Sequence, residues 1–145
     1  MTLRFLGEVG EERSDLSDRM ASVASRSAAA SAVLGPRPRR LGDRIWVLPV
    51  GGLEDLASSV EAATSEIGRD VGGGRRFRGH VTLARGRRPE CLNGLPIVEV
   101  ADIWTVREVT LVRSDLHPDG ARYEVIGRWS LGRPHDSSGE EARSG

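Results

Sequence analysis

Two short stretches of this sequence carry residues suited to acid and base work on a phosphate. From His80 to Arg85 the chain reads HVTLAR. Side chains on a strand alternate between faces, so His80, Thr82 and Ala84 point one way and Val81, Leu83 and Arg85 the other. The backbones of His80 and Thr82 are then about 7 Å apart, near enough for both side chains to meet one small anion. Imidazole moves a proton near neutral pH, and a threonine hydroxyl donates a hydrogen bond to a phosphate oxygen without taking charge. The His80 face is expected to be the reactive one and the Val81/Leu83 face the packing one, with Arg85 at the strand end able to bend toward the anion. The opening MTLRFLG repeats half of this arrangement. Thr2 and Arg4 share one face, Leu3 and Phe5 the other, and a matching histidine would stand directly ahead of Met1. Two such strands side by side would set two histidines and two threonines around one phosphate, a complete acid and base pair for hydrolysing a cyclic phosphodiester.

The charge around the second stretch fits an anionic ligand. The chain as a whole balances 21 basic against 21 acidic residues. Every basic residue is arginine, a bias that reads mainly as codon usage. Between positions 72 and 90, however, Arg75, Arg76, Arg78, Arg85, Arg87 and Arg88 face the single acid Glu90. Guanidinium forks suit phosphate oxygens, although a charge run alone is often only a solvated face. Phe77, between Arg76 and Arg78, is the aromatic best placed to stack on a base. Trp46, Trp104 and Trp129 lie in or beside apolar strands and read as core.

Other chemistries find little support. Cys91 is the only cysteine, so no internal disulfide can form, and without a paired histidine it reads as an ordinary loop thiol. His80, His117 and His135 lack the spacing of a metal site, and His117 in SDLHPDG reads as a surface turn residue. Neither a metal nor an organic cofactor is expected. Gly72 to Gly74 are not followed by the Gly-Lys-Ser/Thr of a phosphate loop. Apolar residues make up 38% and charged residues 29%, with no apolar run of membrane-spanning length and no basic-then-apolar leader, so a cytoplasmic protein without a membrane partner is expected.

The elements that would position these residues alternate. A length of 145 residues suits one domain, here 1–132, followed by a tail 133–145 of disordered composition. Residues 2–6 predict a strand. Leu16, Met20 and Val23 predict a helix from Ser14 to about Val33, closed by Gly35-Pro36. Ile45 to Val50 predicts an apolar strand, and Leu53, Leu56, Val60, Ala63 and Ile67 a helix from about Leu53 to Ile67. GRDVGGGRRFRG reads as a loop and HVTLAR as a strand. VREVTLVRSDL and RYEVIGRWSL read as a hairpin turning through HPDGA.

In that order, these features resemble the two-histidine phosphoesterases, in particular the bacterial and archaeal RNA 2′,3′-cyclic phosphodiesterases once called 2′-5′ RNA ligases. The family carries two His-x-Thr-x motifs, often written HLTLRFLG and PHITLAR. MTLRFLGEV is similar to the first from its second position onward, FRGHVTLAR to the second, and EVTLVRSDLHPDGARYEVIGRWSL to the closing segment, with Ser114, Gly120 and Tyr123 at familiar places. The resemblance implies an α+β fold of two lobes, with antiparallel sheets related by a pseudo-twofold axis, flanking helices, and paired motif strands lining a central cleft. It implies a metal-independent reaction in which His80 accepts a proton from water, the first-motif histidine protonates the leaving 3′ oxygen, and the product ends in a 2′-phosphate. Thr2 and Thr82 would bind the phosphate, supported by Arg4 and Arg85, and Phe77, Arg76 and Arg78 would meet RNA. The partner implied is RNA with a 2′,3′-cyclic phosphate end or a small cyclic nucleotide. Two positions depart from the pattern: Gly79 stands where the family often has proline, and the first motif begins after its histidine. The expectation is a misplaced start or a truncated gene, with the family's first strand and helix missing and turnover impaired. The alternatives are an RNA-end-binding protein without turnover and a structural or interaction protein.

Overall fold

A computed structural model describes residues 1–10, 15–68 and 76–132. Helix α1 spans Asp15–Arg26, with Asp15 and Asp18 in its first turn and Arg26 in its last, charges that suit the helix dipole. Leu16, Met20, Val23 and Ala24 are its buried stripe. The helix ends seven residues before the expected Val33, because Ala30–Leu34 forms strand β1. That run is rich in alanine, a good helix former, but its burial alternates, and it is held by ladders to two neighbours: Ala30 to Leu34 against Val106 to Asp102, and Val33 and Leu34 against Gly51 and Val50. Pairing overrides propensity here.

Strand β2 (Arg39–Leu41) follows, then β3 (Ile45–Gly51), as expected from its apolar sequence. Helix α2 (Glu54–Ala63) ends four residues before the expected Ile67; Leu56, Ala57 and Val60 are its buried face, and Leu53 just before it and Ile67 beyond it are buried too. Strand β4 is His80–Arg85. Beyond a 3₁₀ turn at Pro89–Leu92, strand β5 (Asp102–Val106) leads to the hairpin β6 (Glu108–His117) and β7 (Gly120–Ser130). All ladders named are antiparallel. Strands β2, β3, β1 and β5 are neighbours in one sheet, β4 pairs with the other side of β3, and β6 and β7 form a second sheet. The mixed α/β architecture with antiparallel sheets and flanking helices is therefore present.

The larger core joins Leu16, Met20 and Val23 of α1, Leu56 and Val60 of α2, Ile67, Val109 and Leu131. A smaller cluster of Ala32, Val50 and Leu53 seats the start of α2 on the first sheet. Residues 2–6 are not a strand: the opening segment joins no ladder. Its contacts fall every third residue, at Leu3, Leu6 and Val9, all packed against the larger core, and a three-residue period cannot keep one face of a strand inward. The motif strands are accordingly not paired as the resemblance implied. Residues 69–75 of the glycine-rich stretch, the expected helix start at Ser14 and the tail 133–145 lie outside the described residues.

Candidate active site

His80 opens β4 opposite Pro49 of β3, and Thr82 lies opposite Val47. The entry to this strand depends on Gly79. Val50 N–H donates to the Gly79 carbonyl at 2.9 Å, and a Cβ at position 79 would stand 2.2 Å from the Val50 carbonyl oxygen. Only a residue without a side chain lets β4 close on β3 at this point.

The ring of His80 is fixed by a short backbone contact. Its Nδ1 lies 2.7 Å from the Arg78 carbonyl oxygen. A carbonyl only accepts, so Nδ1 carries the hydrogen and donates it, and in the neutral ring the lone pair is on Nε2. That is the arrangement of a base ready to take a proton through Nε2. His80 and Thr82 are half-buried on one face of β4, opposite Pro49 and Val47. Among the described residues the Thr82 hydroxyl has no hydrogen-bond partner, so it is available to an anion beside the ring. The opposite face does not pack as expected, since Val81 is 39% and Leu83 50% exposed. Nothing among the described residues closes over that side of the edge strand.

The other sequence-derived candidates divide. Thr2 is exposed and follows no ladder. It neighbours Leu3, which packs against the small Ala32/Val50/Leu53 cluster together with Phe77, three residues before His80. The opening segment and the entry to β4 thus border one apolar patch. Arg4 is turned to α2, where Nη1 donates to the Glu61 carbonyl at 2.9 Å. Arg85 stands apart from His80: it sits at the far end of β4, opposite Ile45, about 16 Å along the strand. The ladder shifts register between Thr82 and Ala84, with Leu83 as the extra residue, so beyond it Arg85 pairs with Ile45, on the same face of β3 as Val47 and Pro49.

Arg76 and Arg78 are exposed. Phe77 is half-buried on the small cluster, which leaves only part of its ring open for a base. Trp129 packs against the larger core, whereas Trp104 remains 38% exposed. His117 pairs with Gly120 at the exposed hairpin end, and Cys91 is exposed. Among the described residues no three His, Cys, Asp or Glu side chains are grouped to hold a metal ion, and no helix is long and apolar enough to cross a membrane. Sequence reasoning missed the Arg78 carbonyl as the partner of His80. It is a backbone atom, and the only hint was the glycine between the two residues.

No protein-family model matches the chain. It is 32% identical to an RNA 2′,3′-cyclic phosphodiesterase of Thermus thermophilus, over 93% of this chain and 73% of that protein. Among solved structures it is similar to TT0787 of Thermus thermophilus, with 30% identity and a TM-score of 0.77 over 92% of this chain and 78% of that one. It is also similar to Escherichia coli LigT, solved in its apo form (27% identity, TM-score 0.69, 91% of this chain and 75% of that one) and complexed with 3′-AMP (25% identity, TM-score 0.63, the same coverage).

Proposed function

Since this chain belongs to the two-histidine phosphoesterases, in the group of RNA 2′,3′-cyclic phosphodiesterases, a family of hydrolases, we propose that it opens a 2′,3′-cyclic phosphate at an RNA end to a 2′-phosphomonoester. The observation that carries this reading is the His80 ring, tied through Nδ1 to the Arg78 carbonyl beside the unpartnered Thr82 hydroxyl. Nε2 takes a proton from water as its oxygen attacks phosphorus. The P–O3′ bond breaks, and the departing 3′ oxygen takes a proton from an acid. Thr82 donates to a phosphate oxygen and Thr2 supplies a second donor, the negative charge being stabilised by donors already in place. The 3′-AMP and the RNA-directed name of two similar proteins support a nucleotide at this site. A cytoplasmic place of action suits such a substrate.

A polypeptide of these 145 residues taken alone is proposed to turn over slowly. Of its histidines only His80 and His117 are among the described residues, and His117 is at the hairpin end. Lack of a positioned acid typically costs about 10² to 10⁴-fold. That observation favours a second reading, RNA-end binding without turnover. The test is an oligoribonucleotide ending in a 2′,3′-cyclic phosphate, given to this polypeptide, to His80→Gln, and to a form with histidine placed two positions before Thr2. Formation of a 2′-phosphate, lost in His80→Gln and raised by the added histidine, is expected. A 3′-phosphate product, or a rate indifferent to His80, overturns the reading. Tight binding of the end with no product in any form selects the second.

A further inference from the structure

The face of the sheet that carries His80 and Thr82 does not end at β4. Two ladders set Arg39 of β2 opposite Val47 of β3, and Val47 opposite Thr82 of β4. Directly opposed residues of an antiparallel sheet share a face, so Arg39, Val47 and Thr82 form one row across three strands. Two strand spacings separate the ends of that row by about 10 Å at the backbone. Val47 between them is wholly buried, so the row offers a ligand its two ends, a hydroxyl and a guanidinium.

Arg39 differs from the arginines on either side of it. Arg37 is paired with Glu99 through Nε at 2.7 Å. Arg40 is held by the carbonyls of Asp43 and Pro89 at 3.2 and 3.1 Å and by the Asn93 side chain at 2.7 Å. Arg39 is exposed and, among the described residues, makes neither a hydrogen bond nor an ion pair. Free surface arginines are common. What separates Arg39 from Arg85 is its place opposite Val47, straight across the sheet from Thr82, whereas Arg85 stands at the far end of β4 opposite Ile45.

Building on the phosphoesterase reading, we propose that Arg39 holds the phosphodiester one nucleotide upstream of the cyclic phosphate, so that the site prefers an RNA end to a free cyclic mononucleotide. With the terminal phosphate at His80 and Thr82, the preceding phosphate of a bound strand runs toward β2. A guanidinium meets its two free oxygens with a fork of parallel donors. A mononucleoside 2′,3′-cyclic phosphate has no such group and gains nothing from Arg39.

The experiment compares the parent chain with Arg39→Ala, Arg39→Lys and the control Arg87→Ala, which removes an exposed charge outside the row. Affinity is measured for a trinucleotide ending in a 2′-phosphate and for the matching mononucleotide. Hydrolysis is followed on the corresponding cyclic phosphates. Arg39→Ala is expected to weaken trinucleotide binding about 10-fold or more, to lower the slope of log affinity against log salt by about 0.7, and to leave the mononucleotide unchanged. Arg39→Lys recovers part of the loss, and Arg87→Ala shows little. Equal losses on both ligands, or none on either, overturn the subsite. Hydrolysis that survives while Arg39 proves neutral removes the subsite alone. Arg39-dependent binding without hydrolysis keeps it and removes the turnover reading, and a parent chain that neither binds nor hydrolyses removes both.

Discussion

Replacing Gly79 by alanine tests the positioning of the site most directly, because it adds one methyl group at the residue before His80. That methyl would stand 2.2 Å from the Val50 carbonyl oxygen, where contacts under 3.0 Å are essentially never seen. The obstacle is backbone, so β4 and β3 must part by roughly 1 Å. Overpacking of this kind costs about 1 to 3 kcal/mol. Weakening the 2.9 Å bond from Val50 N–H to the Gly79 carbonyl adds about 0.5 to 1.5 kcal/mol. Alanine returns about 0.4 to 1 kcal/mol by restricting the unfolded chain, which leaves a net loss of about 0.5 to 4 kcal/mol, centred near 2. With a urea dependence of about 2 kcal/mol per molar for a chain of this size, the unfolding midpoint falls by about 1 M. A displacement of 1 Å at a reacting group costs about 10²-fold in rate, so residual hydrolysis falls further than stability alone requires. Gly10→Ala is the control, since a Cβ there meets nothing within 4 Å. A proline at 79, the residue the family motif often carries, brings the same Cβ and is expected to cost as much. An alanine variant whose midpoint stays within about 0.2 M of the parent would show that β4 does not close on β3 in this way.

The remaining predictions concern the chemistry and what supports it. Thr82→Val is expected to weaken binding of a phosphate-ended oligonucleotide about 10-fold and Thr82→Ser to keep most of it; a loss in Thr82→Ser with Thr82→Val unchanged would mean that the methyl, not the hydroxyl, matters. Leu53→Ala removes the centre of the small cluster, where Leu53 is 2% exposed, and is expected to cost about 2 to 5 kcal/mol in urea unfolding. Thr64 is wholly buried and donates its hydroxyl to the Val60 carbonyl at 2.6 Å, so Thr64→Val, similar in shape, is expected to cost only about 1 kcal/mol. Gly68 has φ of 78°, and a Cβ there would meet the Leu6 carbonyl oxygen at 1.8 Å. Gly68→Ala should therefore release the opening segment. Amide exchange at residues 2–6 is expected to quicken while that at 81–85 holds, and equal change at both would refute the separation.

The placement of the candidate residues was legible in this sequence where side chains alternate along a strand. HVTLAR alternates in its letters, and the structure keeps His80 and Thr82 on one face, but the shift of register past Thr82 was not legible. Helix α2 was legible because Leu53, Leu56, Val60 and Ile67 recur at helical spacing. The end of α1 was not: past Arg26 the alanine and serine run offers no large apolar residue to betray a change of period, and β1 exists because β3 and β5 accept it. The opening MTLRFLG looks extended by alternation, yet its buried positions fall at every third residue and it is tied to α2 through Arg4. The partner of His80 and the row from Thr82 to Arg39 depend on a backbone carbonyl and on ladder register, neither of which is a letter in the sequence.

The two halves of the proposed phosphate site are consequently held in different ways. His80 is fixed by its own neighbourhood: the Arg78 carbonyl on its ring, the Gly79 to Val50 closure behind it and the β3 ladder beside it. Thr2 has no ladder. Its position follows from Leu3 and Leu6 in the cores, from Arg4 on the last turn of α2 and from Gly68 just beyond that helix. Segments held by few backbone bonds open at lower cost than sheet cores. Mild destabilisation should thus remove the Thr2 contribution to phosphate binding while the His80 base remains in place. Substitutions around Glu61 and Gly68, distant in sequence from both motifs, then act on binding through the opening segment and leave the proton chemistry of His80 untouched.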